Sequence, residues 1–557
     1  MYRYRHLILS RRSGMGFYLN SAAPYFLYKS EVDSPYFVDK SQLLEKLFPF
    51  VEQGNKHVCI TRPRRFGKTV MANMIGAFFG KGINSHETFD SLKISCSASY
   101  QHHINKYDVI YIDFSKMPNE CSSYSMYISR IEKKLKKDLI KTFPDSEIDI
   151  EDSLWDILDQ IFDDYDGQQF IFIMDEWDNI FHRDFITEDD KKKFLLFLSN
   201  LLKDHAYVAM SYMTGILPIS KYSSGSELNM FMEFKMTSME VFGEYFGFTD
   251  EEVDNLYEKY RHLCKNPQVS RKGLQEWYDG YFTVSGKRLY NPRSVVMALR
   301  FNQISNYWTS SGPYDEIFYY IQNDIAQIKN DLALMVSGEG IKAKVDEFAA
   351  SAMKLKSKDQ IYSAMVVYGL LTFNKGKVFI PNRELMLKYE ELLQNEKSLG
   401  YVYQLAQISD QMLEATLSGN TQKMADILQY AHNTESPILS YNNEIELSAI
   451  VNLVYLSARN KYRIEREDKA GKGYVDFIFY PWNVEEPCII LELKVDSSPE
   501  EAIQQIKDKD YILRFQGKLG ENGKYTGKIL GVGISYDKET KTHQCKIEIL
   551  SKQNSGF

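Results

Sequence analysis

Gly67-Lys68-Thr69 has the residue types and order that hold a nucleotide triphosphate. The three residues close a basic loop, Arg62-Pro63-Arg64-Arg65-Phe66, that follows the β-rich apolar run His57-Val58-Cys59-Ile60. From Val70 to Phe79 the chain continues at once as an amphipathic helix. In a strand–loop–helix of this kind the loop N–H groups and the positive helix N-terminus face the phosphates. Lys68 would reach the β- and γ-phosphates, and the Thr69 hydroxyl would ligate Mg²⁺. A second constellation lies near the other end, where Asp476 is followed, after a turn, by Glu492-Leu493-Lys494. Glu492 and Lys494 alternate with Leu491 and Leu493, so both point to one face of a strand. A carboxylate and an ammonium on an otherwise apolar strand are costly unless they act. Asp476 and Glu492 on adjacent strands would share a divalent metal through oxygen ligands. Lys494 would orient or deprotonate the attacking water and steady charge on a phosphate.

Both constellations need elements to position them. Phe170-Ile171-Phe172-Ile173-Met174 is the continuous apolar run of a strand buried on both faces of a parallel sheet, and it ends in Asp175-Glu176-Trp177-Asp178. Acids at the C-terminal end of a buried strand sit where open α/β sheets bind ligands. Asp175 fits the Mg²⁺-holding carboxylate, and Glu176 fits the base that orients water. Tyr107–Phe114 and Tyr207–Gly215 read as further strands, the second ending in Thr214, a residue placed to sense the γ-phosphate. With the helical stretch from Lys191 to Asp204 between the last two strands, the pattern is that of a βαβ sheet. At the C-terminus, Val475–Tyr480 and Cys488–Lys494 read as paired strands. A helix opening at Asn443-Glu444 precedes them, and a helix from Pro499 carrying Gln505 follows. Glu444, chosen over Glu446, is the candidate for one more metal-binding acid.

The bulk numbers set bounds. The chain has 557 residues, 44% hydrophobic and 25% charged, which suggests two to four folded domains. A net charge of −8 argues against a uniformly basic surface, so nucleic-acid contact must use local patches. The six cysteines form no CxxC pair, which points to a reducing cytoplasm rather than to zinc or disulfides. No apolar run approaches the roughly 20 residues of a membrane span, and the N-terminal stretch lacks the apolar core of a signal peptide.

The phosphate-binding pattern normally has glycine where Arg62 stands. This departure is a point of resemblance. The chain resembles a bacterial family, common in relatives of Bacteroides and Clostridium, that joins an AAA-ATPase-like domain to a C-terminal PD-(D/E)xK nuclease domain. Arg62-Pro63-Arg64-Arg65-Phe66-Gly67-Lys68-Thr69 matches the unusual phosphate loop of that family. Tyr36-Phe37-Val38-Asp39-Lys40-Ser41, Asp175-Glu176-Trp177-Asp178 and Thr214-Gly215-Ile216-Leu217 resemble further family segments, as do Trp277-Tyr278-Asp279-Gly280-Tyr281 and Tyr290-Asn291-Pro292-Arg293-Ser294. Asp476 followed by Glu492-Leu493-Lys494 resembles the nuclease motif. The chain departs at Ser448, where histidine is common, and at Tyr474-Val475, which stand where the family often has Gly-Arg just before the nuclease Asp.

The resemblance implies an α/β architecture. A P-loop AAA-like parallel sheet would span residues 15–245, and a helical lid 246–304. A region over 305–434 would be winged-helix-like, or a helical connector with one hairpin at Leu371–Ile380, and the nuclease-like α/β domain would span 435–557. It implies ATP and Mg²⁺ as cofactors, with Mn²⁺ an alternative at the nuclease site. It also implies a nucleic-acid partner, DNA ahead of RNA, and a cytoplasmic protein. A homo-oligomer is compatible, because AAA-type sites often borrow a neighbour's arginine; Arg64 and Arg65 would serve the phosphates in cis or a neighbouring subunit in trans. The rival, from another class, is an ATP-dependent switch or scaffold whose nuclease-like domain only binds nucleic acid or a protein partner.

Overall fold

A computed structural model describes residues 15–219, 227–237, 240–308, 325–345, 357–433, 444–470, 473–516 and 525–550. Asn443 lies outside them, as do parts of the stretch expected to be winged-helix-like or helical. The chain divides into two compact units, residues 1–313 with 342–385, and residues 314–341 with 386–557.

The first unit is built on a five-stranded sheet. Its strands are β1 (His57–Thr61), β2 (Asp108–Asp113), β3 (Phe170–Asp175), β4 (Val208–Gly215) and β5 (Met232–Lys235), in the order β2-β3-β4-β1-β5. All neighbours are parallel. Every residue of β3 and β4 is buried, as a parallel sheet covered on both faces requires. Each large apolar side chain there contributes about 1.5–3 kcal/mol relative to exposure. The helix α1 (Lys68–Phe79) leaves β1 through the phosphate loop and is buried along nearly its whole length. The strand order has one consequence for the site. β4 separates β1 from β3, with Ile60 opposite Thr214 and Met174 opposite Met213. The tips of the phosphate-loop strand, the Thr214 strand and the Asp175 strand therefore lie side by side.

Helices Asp250–Leu263, Arg271–Tyr278 and Pro292–Phe301 share a separate apolar core that includes Val253, Leu256, Tyr260, Leu274 and Val295. Helix Lys358–Val367 leads into an antiparallel hairpin, Thr372–Asn374 with Lys377–Phe379. Within this unit Gly280 is irreplaceable for two reasons. Its φ is +118°, and a Cβ there would lie 1.8 Å from the Pro381 carbonyl oxygen. Gly280→Ala should therefore destabilise this unit by about 3 kcal/mol or more, combining backbone strain with a clash against rigid main chain. Urea unfolding measures it, and a change within about 0.5 kcal/mol would contradict this packing.

The second unit carries a five-stranded sheet in sequential order: β6 (Tyr462–Ala470), β7 (Gly473–Pro481), β8 (Cys488–Val495), β9 (Ile529–Asp537) and β10 (Thr542–Ile549). Only the β8–β9 pair is parallel. Helix α2 (Glu444–Val454) precedes the sheet, and α3 (Pro499–Asp508) makes the crossover from β8 to β9, as a parallel pair demands. The Ser498 side chain caps α3 by accepting the Glu501 N–H. Val475, Ile478, Cys488, Ile490, Ile503 and Ile506 form the core between α3 and the sheet.

His543 on β10 is buried and pairs through Nδ1 with Gln429 at 3.2 Å. Burial, helped by the neighbouring His432, pulls its pKa down to about 3. The folded form thus holds this imidazole neutral, whereas the unfolded chain protonates it below about pH 6.5. Stability should fall with pH from that point, by about 2 kcal/mol at about pH 5. Urea unfolding of the His543→Gln variant should show a flatter acid limb; an unchanged limb would exclude this imidazole as its source.

Candidate active sites

The phosphate loop folds as an anion cradle before any ligand is considered. Arg65 and Gly67 take φ of +71° and +89°, and such left-handed turns aim successive N–H groups into one concavity. Gly67 then opens α1. The Lys68 ammonium is buried and sits 3.1 Å from both the Arg62 and the Pro63 carbonyl oxygens, and 3.9 Å from Glu176. It rests on the loop's own main chain, poised over the concavity.

Asp175 ends β3 fully buried. The Thr214 hydroxyl donates to it at 2.5 Å and the Tyr111 hydroxyl at 3.5 Å. Burial pushes its carboxyl up to about 6, against hydrogen bonds from Thr214 and Thr69 that favour the charge. Thr69 and Asp175 are therefore already in contact, as a shared Mg²⁺ shell requires. Glu176 follows with φ +53°, a strained conformation for a non-glycine residue. Its N–H donates to Thr214 Oγ1 at 3.4 Å, so a single hydroxyl links both acids. Lys68, Thr69, Asp175, Glu176 and Thr214 are thus brought together. Val70 lies half-buried in the first turn of α1.

Arg62 is placed differently. Its buried guanidinium donates through Nη1 to the Phe234 oxygen on β5 at 2.7 Å and to the Thr61 oxygen at 2.8 Å. The same group stacks 5.1 Å from the Phe246 ring centroid. It ties β1 to β5 and serves the loop by its carbonyl rather than by its charge, although burial lowers its pKa only to about 10, leaving it protonated. Pro63 packs against Gly369, where a Cβ would come within 2.6 Å of the proline. Phe66 meets Tyr281 edge-on at 4.9 Å. Arg64 is half-buried and Arg65 exposed.

Two residues stand in family-like segments of the sequence to which the sequence alone assigns no role. Arg293, in the first turn of Pro292–Phe301, lies close enough to Arg65 to lower its pKa further, after burial and together with Arg64. Its sequence signal is the Tyr290-Asn291-Pro292-Arg293-Ser294 segment, in which it follows the Asn291 cap. Asp178 is buried and accepts the Ile216 and Leu217 N–H groups at 3.0 and 2.8 Å. It thereby ties the loop after β4 to the loop after β3. Gly215 must be small for that packing, since a Cβ would meet Trp177 at 2.5 Å.

The second site forms where β7 and β8 part. Their ladder runs from Phe479 opposite Ile489 to Phe477 opposite Leu491. The next positions in register are Asp476 and Glu492. There the Asp476 carboxylate, rather than main chain, accepts the Leu493 N–H at 2.7 Å. Glu492 Oε1 receives the Gln505 side-chain amide and lies 3.5 Å from the Lys494 ammonium, while its buried Oε2 has no hydrogen-bond partner. Lys494 also donates to the Leu493 carbonyl at 3.1 Å. Burial first, and then the Asp476 charge, push the Glu492 carboxyl up to about 8; burial raises Asp476 as well. With both carboxyls ionised beside one lysine the group would carry an excess of negative charge; without metal the raised Glu492 carboxyl takes a proton instead, and a divalent ion with oxygen ligands would replace that proton. The donor set of Asp476 and Glu492 fits such an ion. Glu444 is exposed at the start of α2. Its charge reaches Asp476, yet among the described residues no three His, Cys, Asp or Glu side chains are grouped closely enough to hold a metal. The structure thus unites Asp476, Glu492 and Lys494 and leaves Glu444 outside that group.

Residues 29–224 match a family model described as a predicted AAA-ATPase, and residues 446–545 match the PD-(D/E)XK nuclease superfamily. The chain joins an AAA-ATPase-like domain to a PD-(D/E)XK nuclease-family domain. Among solved structures it is similar to a Walker-type ATPase of Pyrococcus abyssi at 11% identity, covering 63% of this chain and 94% of that one, with a TM-score of 0.36. Similarity to the Aeropyrum pernix ORC2 protein is 10% identity over 64% and 94% of the two chains, TM-score 0.30. For Cdc6p of Pyrobaculum aerophilum the figures are 11%, 64% and 93%, TM-score 0.27. No curated protein matches the chain. The Asp175 and Thr214 tips lie within the AAA-ATPase-like match, and Asp476, Glu492 and Lys494 lie within the nuclease-family match. No described helix is long and apolar enough to cross a membrane.

Proposed function

We propose that the protein binds and hydrolyses ATP in its first unit and uses that cycle to control metal-dependent cleavage of nucleic-acid phosphodiesters, DNA ahead of RNA, in its second. The observation that carries the first half is the convergence of Lys68, Thr69, Asp175, Glu176 and Thr214 at three adjacent strand tips. Lys68 exchanges the Arg62 and Pro63 carbonyls for phosphate oxygens. Thr69 and Asp175 hold Mg²⁺, which supplies charge neutralisation at the phosphates. Glu176 accepts the proton of the attacking water, and Thr214 keeps Glu176 and Asp175 in one frame. Arg64, Arg65 and Arg293 add positive charge, in cis or across an oligomer interface. In the second unit Asp476 and Glu492 hold Mg²⁺ or Mn²⁺, which supplies Lewis-acid activation, and Lys494 orients the water. Six cysteines, all free, suit a cytoplasmic protein.

A second reading draws on the proton-binding tendency of Glu492 and on the separation of Glu444: the nuclease-family domain would bind nucleic acid or a protein partner without cutting. Assay of the full chain beside Lys68→Ala and Glu492→Ala separates the two. Cutting that needs Mg²⁺ or Mn²⁺ and disappears in Glu492→Ala supports cleavage; nucleic-acid binding with no cutting supports the scaffold. ATP turnover that persists in Lys68→Ala overturns the first half.

A further inference from the structure

A catalytic pair of carboxylates repels the strand it must cut, so a nuclease site needs cations that grip flanking phosphates. Lys494 is committed to Glu492 and the Leu493 carbonyl. The sheet offers a second cation beside the pair. Arg466 on β6 stands opposite Phe477, the residue next to Asp476, and its guanidinium lies 5.4 Å from the Phe477 ring centroid. Its Nη2 donates to Ser448 Oγ at 2.7 Å, one turn of α2 beyond Glu444. The same nitrogen lies only 3.5 Å from Glu339, which is about one-third exposed. Glu339 follows helix Ile325–Val336, whose last carbonyl accepts the Asn452 side-chain amide of α2 at 3.2 Å. Arg466 thus donates to a neutral hydroxyl, lies beside the Glu339 carboxylate, and is close enough to Asp476 for its charge to be felt there. A guanidinium has five donors in a planar fork that matches a phosphate.

We infer that Arg466 binds a backbone phosphate of the nucleic acid beside the Asp476–Glu492 pair, and that Glu339 competes with that phosphate for the guanidinium. The inference rests on the reading of the second unit as a nucleic-acid site. Ser448, where the resembled family commonly has histidine, takes the role of fixing the arginine.

The test uses the full chain, a fluorescein-labelled DNA duplex and fluorescence anisotropy over a salt series, with Ca²⁺ replacing Mg²⁺ so that cutting does not interfere. Arg466→Gln should weaken binding about tenfold and make the log–log salt slope shallower by about 0.9, the signature of one lost phosphate contact. Arg466→Lys should keep the wild-type slope. Glu339→Gln should tighten binding about threefold, and that gain should vanish in the Glu339→Gln, Arg466→Gln double variant, since each acts through the other. A wild-type slope in folded Arg466→Gln, or an equal effect of Glu339→Gln with and without Arg466, overturns the inference. Wild-type protein that binds no duplex overturns it together with the nucleic-acid reading. Duplex binding without cutting, with the cycle as expected, leaves it standing and removes only the cleavage reading.

Discussion

Glu176→Gln should leave ATP bound and lower the hydrolysis rate by about 10²- to 10⁴-fold, the usual contribution of a positioned general base. The frame around Glu176 is main chain and does not depend on its charge. Its strained backbone, φ +53°, is held by the N–H to Thr214 Oγ1, and Thr214 in turn holds Asp175. Glutamine keeps that shape and loses only the ability to take a proton. Lys68 loses only a carboxylate 3.9 Å away and keeps its seat on the Arg62 and Pro63 carbonyls, so affinity for a fluorescent ATP analogue should stay within about threefold of wild type. Lys68→Ala should behave in the opposite way. It removes the ammonium seated on the Arg62 and Pro63 carbonyls, so binding itself should fail. Phosphate release and analogue binding, measured on the same samples, separate these outcomes. Rapid turnover in Glu176→Gln would remove Glu176 as the base and shift attention to Asp178 or to water held by another group.

Local sequence made parts of both sites legible, and the limits have a physical pattern. Runs such as Phe170–Met174 and Tyr207–Met213 announce strands buried on both faces, and their polar ends, Asp175 and Thr214, mark a ligand edge because parallel strands all finish on one side. Alternation with Leu491 and Leu493 puts Glu492 and Lys494 on one strand face, Asp476 is legible as an acid on the neighbouring strand, and the pairing of Asp476 with Glu492 follows from the hairpin register. The order of the strands in the first sheet was not legible, since helices join parallel neighbours and leave no turn to specify which strands pair. Side-chain direction was equally hidden. Arg62 occupies a phosphate-loop position, but the groups that claim its guanidinium, Phe234 and Phe246, are distant in sequence. Arg293 and Asp178 reach the first site only through tertiary packing. Helical pattern puts Glu444 at the start of α2 but cannot say how far that end stands from Asp476.

Glu492→Gln should abolish cutting and yet stabilise the second unit in the absence of metal. The two effects share one cause. Glu492 is almost fully buried, faces Asp476 across the parting of β7 and β8, and leaves Oε2 without a hydrogen-bond partner. Two carboxylates in that position repel each other, and one lysine at 3.5 Å offsets only part of the cost. A neutral amide removes both the repulsion and the cost of protonating Glu492 on folding, so amide hydrogen exchange in β7 and β8 should slow, by a protection gain of about 1–2 kcal/mol. Function should move the other way. Losing one of the two oxygen ligands removes metal-supplied charge stabilisation worth several kcal/mol, which corresponds to a fall in cutting of about 10²- to 10⁴-fold. Metal tests the link between the two. Mn²⁺ binds the folded wild-type site and should protect β7 and β8 by mass action, whereas Glu492→Gln, which lacks a ligand, should gain nothing from it. If Mn²⁺ protects wild type and variant equally, the ion binds elsewhere and the Asp476–Glu492 pair is not the metal site. If the variant is instead less protected than wild type without metal, the two carboxylates are not in the strained apposition that the strand register places them in.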